Sequence, residues 1–205
     1  MPLFFLIFAL TPVLLAVTQN VPTQSTFQLV VLLVSVGAFG LMLGLFWLSR
    51  LMPRDTVKMK ASSTMRWHKV IGYAAGLFFL VHPVLMIARR FWVQESLPLD
   101  NLKLMIASPL LRTGIIAWLL LVLIIAMAIV RKKIPAKIFR VLHGLLSVAF
   151  TVLATWHVIA VGRHSNSGMT LFWVLLATVA IAALLLSYLK PLIKNWKGVT
   201  REPAQ

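Results

Sequence analysis

Four histidines fall into two pairs with the same separation. His68 and His82 are 14 residues apart, and so are His143 and His157. Each pair lies in or at the end of a long apolar run. Ionisable side chains are costly inside a membrane and mark function when they occur there. Fourteen residues rise about 21 Å along an α-helix and turn to within roughly 40° of a whole number of turns. Each helix therefore presents two imidazoles on one face, one toward each side of the hydrocarbon core. Two such helices running parallel set His68 level with His143 and His82 level with His157. A pair of neutral imidazoles facing across a gap suits axial ligation of a porphyrin iron from both faces. The spacing thus predicts two stacked b-type haems, with His68 and His143 on the inner iron and His82 and His157 on the outer.

The alternatives for histidine are weaker. A single membrane histidine often hydrogen-bonds to a neighbouring helix, but that does not explain a repeated spacing. Zinc favours four protein ligands in a closed site, and two imidazoles per level are too few. Met86, four residues past His82, fits a core- or lipid-facing position better than an axial ligand. His164 follows Arg163 in an external loop, outside the pattern, and is expected to be solvated or to lie near the outer haem.

The faces carrying the ligands should leave room for a flat macrocycle. Gly72, Ala75, Gly76 and Phe79 lie between the ligands of the first pair, and Ser147, Phe150, Thr151 and Ala154 between those of the second. All fall within about 80° of the ligand stripe. Gly72, Gly76, Phe79, Ser147 and Phe150 are therefore expected to line the haems, with Phe79 and Phe150 filling the space between levels. Gly72-x3-Gly76 also reads as a helix-packing motif, as does Gly40-x3-Gly44.

The elements that position these residues are membrane helices. The chain has 205 residues, 60% of them hydrophobic and only 12% charged, with a mean hydropathy of +0.95. Soluble domains are roughly 25% charged. Six apolar segments can be drawn, at 3–18, 27–50, 67–89, 110–131, 138–162 and 169–190. They predict an all-α, six-helix membrane bundle, since runs this long in hydrocarbon can only be helical. The first segment is short and contains Pro12. It lacks the basic start of a signal peptide and is read as a span. The histidine pairs fall on the third and fifth spans, which one intervening span makes parallel.

The net charge of +16 does not point to nucleic acid, because the Lys and Arg residues sit in short clusters flanking the apolar runs. Fifteen fall on one side of the expected topology, in 50–69, 131–140 and 190–201. Five fall on the other: Arg89, Arg90, Lys103, Arg112 and Arg163. The positive-inside rule then places both termini in the cytoplasm of a multi-pass inner-membrane protein, with anionic lipid headgroups as secondary contacts. Arg66, Lys69 and Arg140 at the inner level, and Arg89, Arg90, Arg112 and Arg163 at the outer, are candidates to neutralise haem propionates. The tryptophans at 47, 67, 92, 118, 156, 173 and 196 are read mostly as interface anchors.

The whole chain, 1–205, is read as one haem-binding domain with its core at about 27–190. Its polar tail, 191–205, is expected to be disordered. The absence of cysteine excludes disulfides, iron–sulfur clusters and c-type haem attachment. No dinucleotide fingerprint or P-loop is present, so flavin or nicotinamide chemistry must come from another protein. Asp55, Glu95, Asp100 and Glu202 all fall in loops or the tail, which argues against an ion-coupled transporter.

Paired His-x13-His motifs on the third and fifth of six spans resemble the ferric reductase-like transmembrane domain. That family includes the membrane parts of ferric-chelate reductases and NADPH oxidases, and the haem subunit of bacterial periplasmic methionine sulfoxide reductase. The resemblance covers roughly 27–190. It implies that His68, His82, His143 and His157 ligate two b haems that carry electrons outward. The donor would be a cytoplasmic flavin reductase or membrane quinol, and the acceptor external or periplasmic, such as a ferric chelate. The size, and the stretches ASPLLRTGIIAWLLLVLIIAMAIV and LHGLLSVAFTVLATWH, look similar to the sulfoxide reductase subunit. His68 and the wider fifth-span spacing lean toward the two-haem reductase branch. A haem-binding membrane protein without electron transfer is the reading from another class.

Overall fold

The computed structural model describes residues 2–19, 25–51, 61–94, 97–162 and 165–199, which are helical with short connections. Five helices contain stretches long and apolar enough to cross a membrane: Thr26–Ser49, Ser63–Ala88, Pro109–Ile129, Ala136–Val161 and Ser167–Leu189. A shorter apolar helix, Pro2–Val17, precedes them. None of the five stretches contains Asp or Glu.

The helices are α1 (Pro2–Val17), α2 (Thr26–Phe46), α3 (Ala61–Gln94), α4 (Pro98–Ala107), α5 (Pro109–Ile129), α6 (Ala136–Val161) and α7 (Ser167–Val199). The third, fourth and fifth predicted spans correspond to α3, α5 and α6. Their starts follow capping chemistry. Ser25 accepts from the Gln28 backbone amide at 3.2 Å before α2. Asn166 accepts from the Met169 amide at 2.9 Å before α7. Pro109 occupies the first turn of α5, where its missing N–H costs nothing.

α1 is too short for a straightforward crossing, and Pro12 shapes it. Proline cannot donate to the carbonyl four residues back, here Phe8. The helix passes through a π turn at Leu6–Leu10, and the Thr11 hydroxyl donates to the Leu6 carbonyl at 2.9 Å. The Phe8 carbonyl lies so close to Gly40 of α2 that a side chain there would collide with it. The rings of Phe4 and Phe8 cover Gly44 in the same way. Gly40-x3-Gly44 is therefore a packing motif, as its spacing suggests.

One core joins all six apolar helices. It contains Ala16, Phe39, Leu43, Ala75, Leu121, Phe150, Ala154 and Trp173, with Phe79 packed against it. Large apolar side chains such as Leu77 and Leu145 point outward and are more than 60% exposed. In a chain of this hydropathy those surfaces meet lipid.

Two expectations change here. Helix α7 runs on to Val199, so most of the predicted tail from 191 is helical. Leu189, Leu192, Ile193 and Trp196 continue a helical apolar spacing that the intervening lysines obscure. Trp118 and Trp173 are not interface anchors. Trp118 sits mid-helix and donates to the Leu80 carbonyl of α3 at 3.1 Å, while Trp173 is 1% exposed in the core. The 90–109 stretch adds helix α4, which carries the surface ion pair Asp100–Lys103 at 3.5 Å.

Candidate haem-ligand levels between α3 and α6

Helices α3 and α6 run parallel because α5 returns the chain between them. α5 and α6 form the most extensive helix pair, and α3 packs on α2 and α5. Among the described residues α3 does not pack closely, backbone to backbone, on α6. The histidine faces meet across that wider interval.

At the basic end, the rings of His68 and His143 face one another with centres 6.4 Å apart and planes 67° apart. A metal–imidazole bond is about 2 Å and a ring nitrogen lies about 1.2 Å from its ring centre, so two imidazoles on opposite sides of one metal have centres about 6.4 Å apart. The inner spacing fits a shared iron. The two planes are free to differ in rotation about that axis. Phe139 stacks on His143, with centres 5.2 Å apart and planes 16° from parallel. The Arg131 guanidinium lies 5.3 Å from the centre of the Phe139 ring.

At the opposite end, His82 and His157 lie close enough for the charge of one to act on the other. Phe78 and Phe79 flank His82 with ring centres 6.1 and 6.0 Å away. Each of these imidazoles turns Nδ1 toward an oxygen of a neighbouring helix. Nδ1 of His82 is 3.5 Å from the Ser35 hydroxyl of α2, at the outer limit for a hydrogen bond. Nδ1 of His157 lies 3.3 Å from the Leu110 carbonyl of α5 and 3.5 Å from the Thr113 hydroxyl. A carbonyl only accepts, so Nδ1 of His157 carries the proton and Nε2 keeps its lone pair for a metal.

The other expected lining residues are distributed unevenly. Phe79 and Phe150 both belong to the central core, along the stretch separating the two levels. The Ser147 hydroxyl donates to the His143 carbonyl one turn back, at 2.6 Å. Gly76 faces Ile125 of α5, where an added Cβ would meet Cδ1 at 2.9 Å, and Gly72 has Leu45 at an ordinary 3.6 Å. Both glycines thus serve contacts with α5 and α2. Among the described residues no three His, Cys, Asp or Glu side chains converge, leaving each level with its two imidazoles. His164 and Arg163 lie outside the described residues, and the structure describes Arg89 and Arg90 by their backbone only.

Sequence reasoning missed Ser35, Leu110, Thr113 and Gly114. Thr113-Gly114, a polar and a small residue next to each other near the start of an apolar helix, was the visible signal. Near the inner level, the Tyr188 hydroxyl of α7 donates to the Arg140 carbonyl at 2.5 Å, and its ring covers Gly144 beside His143.

A multi-pass helical protein with two paired-histidine levels is a membrane component of the oxidoreductase type. Residues 34–154 match the ferric reductase like transmembrane component family, and the chain belongs to it. His68, His82 and His143 fall inside the matched stretch, and His157 three residues beyond it. An uncharacterized protein of Archaeoglobus fulgidus is 26% identical over 170 residues, covering 80% of this chain and 93% of that protein. No solved structure matches the chain.

Proposed function

We propose that this chain is the haem-carrying membrane part of a transmembrane electron conduit, with b-type haems held at the levels of His68/His143 and His82/His157. The observation that carries the reading is the facing of His68 and His143 at 6.4 Å, repeated one helix stretch away by the proximity of His82 and His157. Haem iron held by two imidazoles cycles between ferric and ferrous states and so supplies one-electron transfer. The chain's own residues hold and orient. Four imidazoles offer nitrogen lone pairs, the oxygens around Nδ1 fix ring rotation, and Phe79 and Phe150 keep water out of the stretch between levels.

With both axial positions taken by histidine, an acceptor would be reduced at the cofactor edge or through a docked partner. The basic side is then the cytoplasmic, electron-receiving side, by the positive-inside rule. α1 would count as the sixth membrane helix. Its 16 residues span about 24 Å, and it is held to α2 through Gly40 and Gly44. The donor would be a flavin reductase or quinol, and the acceptor an external ferric chelate. The second reading, the haem subunit of a periplasmic sulfoxide reductase, is favoured by the chain's size and would use fewer haems.

Pyridine haemochrome analysis of the purified protein tests the proposal. Two haems b per chain are expected. One haem, retained in a His68→Ala variant, favours the second reading, and none removes both.

A further inference from the structure

We propose that the first turn of α5 is a cradle that sets the orientation of His157, and through it the potential of the outer haem. Gly114 and Thr113 are its positioning residues. The inference rests on the ligand reading above.

Three contacts converge on one imidazole. The ring of His157 lies directly on Gly114, where an added Cβ would come within 2.5 Å of Cε1, 2.7 Å of Nδ1 and 2.8 Å of Nε2. Real Cβ atoms do not approach a ring so closely, and the obstacle spans the ring rather than one flexible tip. Glycine at 114 is thus what lets the imidazole reach α5 at all. Having reached it, the ring directs Nδ1 to the Leu110 carbonyl at 3.3 Å. The Thr113 hydroxyl donates to the same carbonyl at 2.6 Å and keeps its oxygen 3.5 Å from Nδ1. Both oxygens are fixed to the first turn of one helix, so the bond direction is set before any metal binds.

A hydrogen bond from Nδ1–H to an oxygen makes the imidazole a stronger electron donor to a metal on Nε2. A more basic ligand favours ferric over ferrous iron and lowers the potential. Displacing the ring from the cradle has the opposite effect. Gly114→Ala should not harm the helix, because alanine is the better helix former. Its effect falls on the neighbouring ring.

The test is spectroelectrochemical titration with low-temperature EPR on the purified holoprotein, wild type first. If the wild type binds no haem that His157→Ala removes, the ligand reading itself is wrong. With that haem present, Gly114→Ala is expected either to raise its midpoint potential and move its low-spin EPR line, leaving the other haem unchanged, or to lose it. Gly168→Ala at the start of α7, where the nearest atom to an added Cβ is 3.6 Å away, should match the wild type. Two haems with wild-type potentials and EPR lines in Gly114→Ala would overturn the cradle, and so would the same shift in Gly168→Ala. Should Gly114→Ala not be recovered, Thr113→Val decides. It should perturb the same haem and Thr113→Ser should restore it; no perturbation in Thr113→Val overturns the proposal.

Discussion

The imidazole of His143 lies flat against the ring of Phe139 one turn before it, 16° from parallel with centres 5.2 Å apart. Arg131 approaches the same phenyl ring, so an exposed basic turn, a phenyl face and the inner histidine pair form one continuous stack. Stacking fixes the rotation of His143 about its side-chain bonds. Phe139→Leu keeps apolar bulk but removes the flat face. Haem content should stay at wild type while the low-spin EPR line of the inner haem broadens or moves. An unchanged line would show that Phe139 does not orient the ligand.

The two levels should be separable by substitution. His82→Ala and His157→Ala should each lower haem content from two per chain to one, and His68→Ala should do the same at the other level. Pyridine haemochrome gives the count and potentiometry shows which haem remains. Full haem content with an unaltered low-spin spectrum in any of the three would remove that residue from the ligand set.

Trp118 joins α5 to α3 through its bond to the Leu80 carbonyl. That carbonyl lies in the turn that Pro83 loosens, one proline ring away from His82. Trp118→Phe keeps most of the ring and deletes the donor. A loss of about 1 kcal/mol is expected, the usual worth of one such bond in a protein or membrane interior. Unfolding in mixed detergent and SDS measures it.

Gly40→Ala should be worse. The new methyl group meets the Phe8 carbonyl, a backbone atom that cannot rotate away. Overpacking of this kind costs about 1–3 kcal/mol, and α1 should detach before the rest of the bundle. Protease accessibility of the first 17 residues would rise while haem content holds. A variant as protease-resistant as the wild type would mean that α1 is held elsewhere.

The features readable from sequence are those with a period. Helix positions follow from runs of apolar residues, and the levels follow from two equal intervals of 14. Features set by a neighbouring helix were hidden. Gly40, Gly76 and Gly114 look alike in sequence, yet one meets a carbonyl, one an isoleucine tip and one an imidazole. Ser35 and Thr113 are ordinary hydroxyls in apolar runs, and only the packing of α2 on α3 and α5 on α6 brings them to histidines. Trp118 misled because its position on the wheel says nothing of the carbonyl across the gap. The helix past residue 190 was masked by its lysines.

The membrane stretches contain no carboxylate: Asp55, Glu95, Asp100 and Glu202 all lie beyond them. On the proposed route, an electron would therefore cross with no acidic side chain in those stretches to ferry a proton beside it. Its passage moves net charge, and the voltage acts on it at about 2.3 kcal/mol per elementary charge for each 100 mV across the full membrane. An interior-negative membrane drives the electron outward, and turnover discharges that membrane. In sealed vesicles with donor inside and ferric chelate outside, clamping the voltage to zero with valinomycin and potassium should lift the brake that accumulating charge puts on turnover. A rate indifferent to the clamp would mean that a counter-ion travels with each electron.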